Sequence, residues 1–372
     1  MSKTKLVKIS LLISSFLLFS VPAASKNTPI QLVHPDGSYD TVPLEKDTVV
    51  IKIVQTSVNN IQEFDDPSTA LKANLDKMIE YAKKACSTGK KPDFILYNEF
   101  PLTGYSFGDR EEKLKYTINI PGPETKALGE IAKSCDTYLI FGSYAQDAEW
   151  PEHILSINTV LDRKGKIAKK FWKTRNVKRI FENGEIPTTT IESVRNKYRE
   201  KYGIEEEFPV LRTEFGNIAV STVQLDPLVF AAFAMRGTEI MFRTSTLFSE
   251  ADVKAIAAFN NFYSAMSNIT LPEDSEWAPM GGNSLIVSPK GETMAQAKGN
   301  VDAIIEAEIP IAQFRKSRTI PRYPVEVVAP IFSQYQQEIP LNHMDIDRSK
   351  LPSTRKDMKT LLDQKSRWIN KH

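Results

Sequence analysis

From Val49 onward, short runs of β-branched and aromatic residues alternate with longer stretches of helical period, and this alternation most constrains the fold. The pattern predicts a strand at 49–54, a helix at 67–86 with Pro67 in its first turn, and a buried strand at 94–97. A second helix follows Pro121-Gly122-Pro123 and ends near Cys135, and a strand at 138–143 comes next. Segments 158–161 and 166–171 flank Arg163-Lys164-Gly165, a hairpin connection. Further strands are expected at 218–223, 239–243, 263–268, 284–287, 292–297 and 303–309, with helices at 228–235 and 250–261 separating the first three. Helices covering sheets give a layered α/β (α+β) architecture, and the hairpins make the sheets mixed.

The ends of the chain read differently. Lys3, Lys5 and Lys8 precede an apolar run from Ile9 to Val21, and the small residues Ala23, Ala24 and Ser25 follow it, the pattern of a cleavable secretory leader over 1–25. The run is shorter than the about 20 residues a membrane helix needs, and Ser10, Ser14 and Ser15 interrupt it; an uncleaved anchor is the competing reading. The leader holds three lysines and no acid, so its removal takes the formal charge from +2 to −1. A protein-wide electrostatic grip on nucleic acid is thereby excluded. Between Phe181 and Phe208 lies a charged insertion that we expect on the surface, bordering the site. After Ile309 the prolines 310, 321, 324, 330, 340 and 352 break the periodicity, so the C-terminal segment is expected to wrap the outside of the domain or a partner copy. Its basic stretch, from Arg348 to Lys371, reads as a solvated terminal helix, with a weak surface tether to membrane or cell wall as the other reading. Cys86 and Cys135 both fall on apolar helical stripes and read as small core residues with free thiols, since two buried faces on different helices need not meet.

The chain has no Gly-x-Ser-x-Gly elbow, no phosphate-binding loop and no His-Glu-x-x-His helix, and its four histidines share no ligand-like spacing with Cys or Asp. No metal or cofactor is therefore expected. Three positions stand at strand ends, where α/β proteins build their sites. Glu99 follows the buried run 94–97, where desolvation would raise its pKa toward that of a usable base. Lys173 ends Gly165-Lys166-Ile167-Ala168-Lys169-Lys170-Phe171-Trp172-Lys173, and Val223 closes the strand that starts at Gly216. Taken singly they read as a helix-terminal charge, a surface cation and a core residue.

Taken in order, the segments resemble the nitrilase, or carbon-nitrogen hydrolase, superfamily. The resemblance rests on Tyr97-Asn98-Glu99-Phe100-Pro101-Leu102-Thr103-Gly104-Tyr105, the Lys173 segment, Pro121-Gly122-Pro123-Glu124-Thr125, Arg236-Gly237-Thr238-Glu239-Ile240 and Gly281-Gly282-Asn283-Ser284-Leu285-Ile286-Val287. It implies a four-layer αββα sandwich, commonly paired between subunits, over a domain at 49–312 flanked by extensions at 26–48 and 313–372. It also implies acyl transfer in which a Cys thiolate attacks an amide or nitrile carbon, Glu99 moves the proton and Lys173 stabilises the oxyanion. The family's Cys falls on Val223, which carries no lone pair, and the following segment up to Arg236-Gly237 is about two residues short.

Substitutes for the thiol are poorly placed. Ser221 shares the Val223 face but lies about 6.6 Å back along the strand, and a displaced gap would bring Gln224, an amide, to the position. The resemblance further implies that Glu185, Tyr105 and Gln224 line the substrate pocket. The expectation is a secreted or periplasmic protein, dimeric, that binds a small amide or amine without thiol-dependent turnover. The competing expectation is an active hydrolase of linear amides that uses Ser221 or water.

Overall fold

The fold was obtained as a computed structural model, which describes residues 30–105, 108–176, 187–222, 225–247 and 250–368. The elements below belong to the unit Val33–His372. In chain order the first strands are β1 (Val49–Gln55), β2 (Phe94–Leu96), β3 (Ile118–Asn119), β4 (Tyr138–Gln146), β5 (Leu155–Leu161) and β6 (Ile167–Trp172). They continue with β7 (Leu211–Thr213), β8 (Gly216–Ser221), β9 (Ile240–Thr244), β10 (Tyr263–Ser267), β11 (Leu285–Val287), β12 (Thr293–Gln296) and β13 (Ala303–Ile309). Among the described residues these make two mixed sheets, one ordered β13-β1-β2-β4-β5-β6 with β3 beside β4, the other β12-β11-β10-β9-β8-β7. Strands β1, β2 and β4 run parallel, as do β8, β9 and β10, while hairpins add the antiparallel edges.

Strand alternation assigns the faces. Val49, Ile51 and Ile53 of β1 join Phe94, Leu96, Ile218, Val220, Ile240 and Phe242 in a core between the sheets. Val54, Ile95, Leu139 and Phe141 instead meet helices α1 (Pro67–Ser87) and α3 (Pro123–Cys135), which flank the short α2 (Arg110–Leu114) in sequence. Beyond the second sheet, α6 (Glu250–Asn260) packs Val253 and Ala257 on Met266, Leu285 and Val287. Helix α5 (Pro227–Met235) lies on the same outer face, where the Arg243 guanidinium of β9 stacks 4.3 Å from the Phe230 ring centre and pairs with Asp252 of α6 at 3.1 Å. The result is the expected αββα sandwich. Asp66 starts α1 by accepting from the Ser68 N–H, and the buried Lys52 ammonium ends it by donating to the Ala85 carbonyl at 2.8 Å.

Three expectations need correction. Cys86 and Cys135 form a disulfide, with Cα atoms 5.9 Å apart. Successive crossovers between the parallel strands β1, β2 and β4 lay α1 and α3 side by side over one sheet face, which brings their last turns together.

The described part of the charged insertion is no surface excursion. Helix α4 (Arg195–Tyr202) buries Tyr198 against Trp172 at 5.2 Å between ring centroids. Glu207 is buried and accepts from Arg195 Nε at 2.7 Å and Nη2 at 3.0 Å, and from Arg199 as well.

The terminal helix is no fully solvated one. After α7 (Ile311–Ser317) and α8 (Val325–Phe332), helix α9 (Arg355–Lys365) buries Met358 and Leu362 in the apolar cluster that also holds Trp150, Met344 and Leu351. Lys356, Lys359 and Lys365 stay exposed, while Arg355 lies beside the docked Met358 and Leu362. The C-terminal segment does wrap the domain: Asn342 N–H donates to the Glu192 carbonyl at 3.0 Å and Met344 N–H to the Ser193 carbonyl at 2.9 Å. The leader lies outside the described residues, and among those described no helix is long and apolar enough to cross a membrane.

Candidate functional site

Glu99 is placed by backbone before side chain. Past the end of β2 the chain still runs beside β4, with Tyr97 N–H on the Ile140 carbonyl and Gly142 N–H on the Asn98 carbonyl. Gly142 is required there, since a Cβ on it would stand 2.2 Å from the Glu99 carbonyl oxygen. The other sheet reaches the same point: Glu99 N–H donates to the Ser245 carbonyl at 3.4 Å, just beyond β9, and the Thr246 side chain hydrogen-bonds the Glu99 carboxylate. Lys173, just beyond β6, is fixed by its N–H on the Ser156 carbonyl and by its own carbonyl accepting from Ile191 N–H.

The two side chains meet, with Lys173 Nζ 3.2 Å from Glu99 Oε1 and Glu99 only 5% exposed in its side chain. Burial pushes the Glu99 carboxyl above its ordinary range, and Lys173 and Thr246 offset part of that rise. Such a pair can hold a proton on the carboxyl side and present an ammonium to a carbonyl oxygen.

Strand β8 ends at Ser221, which pairs with Arg243 on β9, two residues before the Ser245 carbonyl that receives Glu99. Ser221 and Thr222 are buried. Val223, Gln224 and Glu185 lie outside the described residues. The flanks of Val223 and Gln224 are nonetheless tied to the Lys173 segment, because Arg175 Nη1 binds Asp226 Oδ2 at 2.8 Å. Tyr105 belongs to the Glu99 neighbourhood: burial pushes its hydroxyl pKa up and the Glu99 charge adds to the rise, while Arg355 opposes it. Its ring centroid lies 6.0 Å from that of Phe100.

Two residues near this pair had no signal in the sequence. Lys113 of α2 is 2% exposed, and burial, with the charges of Lys173 and Arg355, pushes its ammonium down to about 7 against the opposing pull of Glu112. Arg355 opens α9, so the C-terminal segment brings a cation to the site. That segment is anchored at α2, where Arg110 N–H donates to the Ser353 carbonyl at 2.7 Å and Arg110 Nε to the Pro352 carbonyl at 3.2 Å. Lys113 sits in the run Arg110-Glu111-Glu112-Lys113, which reads as solvated. Arg355 sits in the basic tail. Among the described residues no cluster of His, Cys, Asp and Glu could hold a metal ion.

Comparison with known proteins agrees with this fold. The sandwich resembles a double mutant of the amidase from Nesterenkonia sp. AN1 in complex with acrylamide, with a TM-score of 0.55, 16% identity, and coverage of 78% of this chain and 100% of that one. It also resembles a mutant of the same amidase in complex with butyramide, with a TM-score of 0.54, 17% identity, and coverage of 82% and 100%. At such identities the likeness is one of fold. The protein N-terminal amidase of Saccharomyces cerevisiae is 34% identical over 103 residues, 27% of this chain. The chain spans about a fifth of that relative's length, 21%. The carbon-nitrogen hydrolase family model matches residues 53–319, most of the chain. This chain therefore belongs to the carbon-nitrogen hydrolase family.

Proposed function

We propose that this protein is exported and holds a small amide against Glu99 and Lys173 without cleaving it through a thiol. One observation carries the proposal: the chain has two cysteines, and they are bonded to each other in the helical layer. Val223 stands where the family resemblance calls for the nucleophile, and no cysteine elsewhere supplies a thiolate. The disulfide also supports export, because such bonds persist in oxidising compartments, in keeping with the leader pattern at 1–25. The Lys173 ammonium would donate to the amide oxygen, and Glu99 would accept from the amide nitrogen.

A second reading, hydrolysis by water activated at Glu99, is favoured by the raised proton affinity of that carboxyl. Mature protein would be titrated calorimetrically with acetamide, propionamide and butyramide while released ammonia is measured. Binding without ammonia is the expected result, and Glu99→Gln should weaken the binding. Ammonia release that Glu99→Gln abolishes would replace the proposal with the hydrolase reading, and absence of both heat and ammonia would end the amide assignment. Val223→Cys should create a single free thiol that iodoacetamide alkylates faster than an exposed model thiol, because Lys173 lowers its pKa. Ordinary or slower alkylation would show that residue 223 is not beside the pair.

A further inference from the structure

Lys113 is the buried cation that the Glu99–Lys173 pair does not account for. Its Nζ is buried and has no hydrogen-bond acceptor among the described residues. It stands 4.8 Å from the centre of the Tyr144 ring, which stacks at 4.0 Å on Phe100, the residue after Glu99. The ring face supplies part of the compensation a buried ammonium needs, but three N–H donors still lack an acceptor. Natural proteins rarely leave such a group unsatisfied. The nearby charges offset one another in part: Lys173 and Arg355 repel it, and Glu112 of its own helix attracts it.

Resting on the amide reading above, we infer that Lys113 receives an anionic group, a carboxylate, carried by the ligand whose amide meets Glu99 and Lys173. The ligand class is then an amide bearing a carboxylate a few bonds from its carbonyl carbon. A carboxylate presents two acceptor oxygens to the ammonium and brings a negative charge to a place where Lys173 and Arg355 add positive potential. The Tyr144 and Phe100 rings would flank the methylene groups between the two ends. Lys113 is in this view a specificity-determining residue, remote from the bond to nitrogen.

The test uses three probes of nearly one shape: butyramide, succinamate, in which a carboxylate replaces the methyl group of butyramide, and butyrate. Each is titrated calorimetrically into the full-length mature protein at pH 6.5, in the wild type, Lys113→Met and Lys113→Arg. Malonamate with propionamide, and glutaramate with valeramide, extend the comparison to other spacings. At the preferred spacing the wild type should bind the carboxylate-bearing amide about tenfold or more tightly than its neutral counterpart. Lys113→Met should bring that ratio close to one, and Lys113→Arg should retain a preference for the anion. A thermal melt confirms that each variant is folded.

Equal affinity for both members of every pair in the wild type overturns the carboxylate assignment while leaving the amide reading intact. Preference that survives in Lys113→Met overturns it as well, and assigns the anion to Arg355 or Lys173. Binding of butyrate and succinamate, lost in Lys113→Met, with no binding of butyramide in any form, upholds the anion subsite and ends the amide reading. Failure of every probe at every spacing to bind ends both.

Discussion

Two buried carboxylates, Glu99 and Glu239, each pair with one cation among the described residues and are built to opposite ends. Glu239 accepts from Arg315 Nε at 2.8 Å and Nη2 at 2.7 Å, from the Tyr39 hydroxyl at 3.0 Å and from Asn217 N–H at 2.7 Å. Both oxygens are used, in bidentate geometry, and the donors come from the N-terminal extension, β8 and α7. This is a lock that ties both ends of the chain to the second sheet. Among the described residues Glu99 has one ammonium at 3.2 Å and the Thr246 side chain, and burial raises its pKa. The difference teaches that burial alone does not distinguish a structural acid such as Glu239 from one proposed to do chemistry. The count of donors and the room left on the carboxylate do.

The comparison breaks most visibly at the lock. Arg315→Ala leaves Glu239 buried with its charge unpaired, and such losses cost about 3–5 kcal/mol. Urea denaturation should register that loss, and a change under 1 kcal/mol would show that the Tyr39 and Asn217 contacts suffice without the guanidinium.

At the site the same operation has the opposite sign. Lys113 titrates at about 7 in the folded protein against an ordinary 10.5, so between those values the unfolded chain binds more protons. Its cost to stability is complete below about pH 7, declines as pH rises, and is gone above about 10.5. The groups that set it are Lys173, Arg355 and Glu112, together with burial. Lys113→Met should therefore stabilise the ligand-free protein at pH 6, by on the order of a few kcal/mol, and by progressively less up to pH 10. Destabilisation at pH 6 would mark Lys113 as part of the scaffold.

A smaller effect is expected for Glu99→Gln. A raised carboxyl pKa means the folded state holds its proton more tightly, so the charged form costs stability once the pH exceeds the ordinary value near 4.5. Glu99→Gln should leave stability unchanged below that pH and raise it above, because burial outweighs the Lys173 pairing in the net shift, and by less than Lys113→Met does. A loss as large as that of Arg315→Ala would make Glu99 a second lock and remove the distinction on which its proposed chemical role rests.

Much of the scaffold was legible along the chain. Pro67 and the stripe after it mark α1, Pro121-Gly122-Pro123 marks α3, and Arg163-Lys164-Gly165 marks the turn between β5 and β6, because each is a local choice of dihedrals and period. Glu99 and Lys173 were legible for a related reason, since each follows an apolar run and a side chain at a strand end is carried to the sheet's edge. Lys113 and Arg355 were not. A lysine in a charged five-residue helix and an arginine in a basic tail look solvated until a distant segment covers them.

The sequence by itself determined most of the strands and the larger helices, through the family resemblance the αββα layering, the strand ends that carry Glu99 and Lys173, and the valine where that resemblance calls for a thiol. Only the tertiary structure decided that Cys86 and Cys135 join, that Tyr198, Glu207, Met358 and Leu362 lie inside, and that the C-terminal segment brings Arg355 to Lys113. The reason is physical: periodicity assigns a residue to a face of its own element, whereas a bond, a burial or a charge pair requires two faces to meet, and which faces meet is set by packing between elements far apart in the chain.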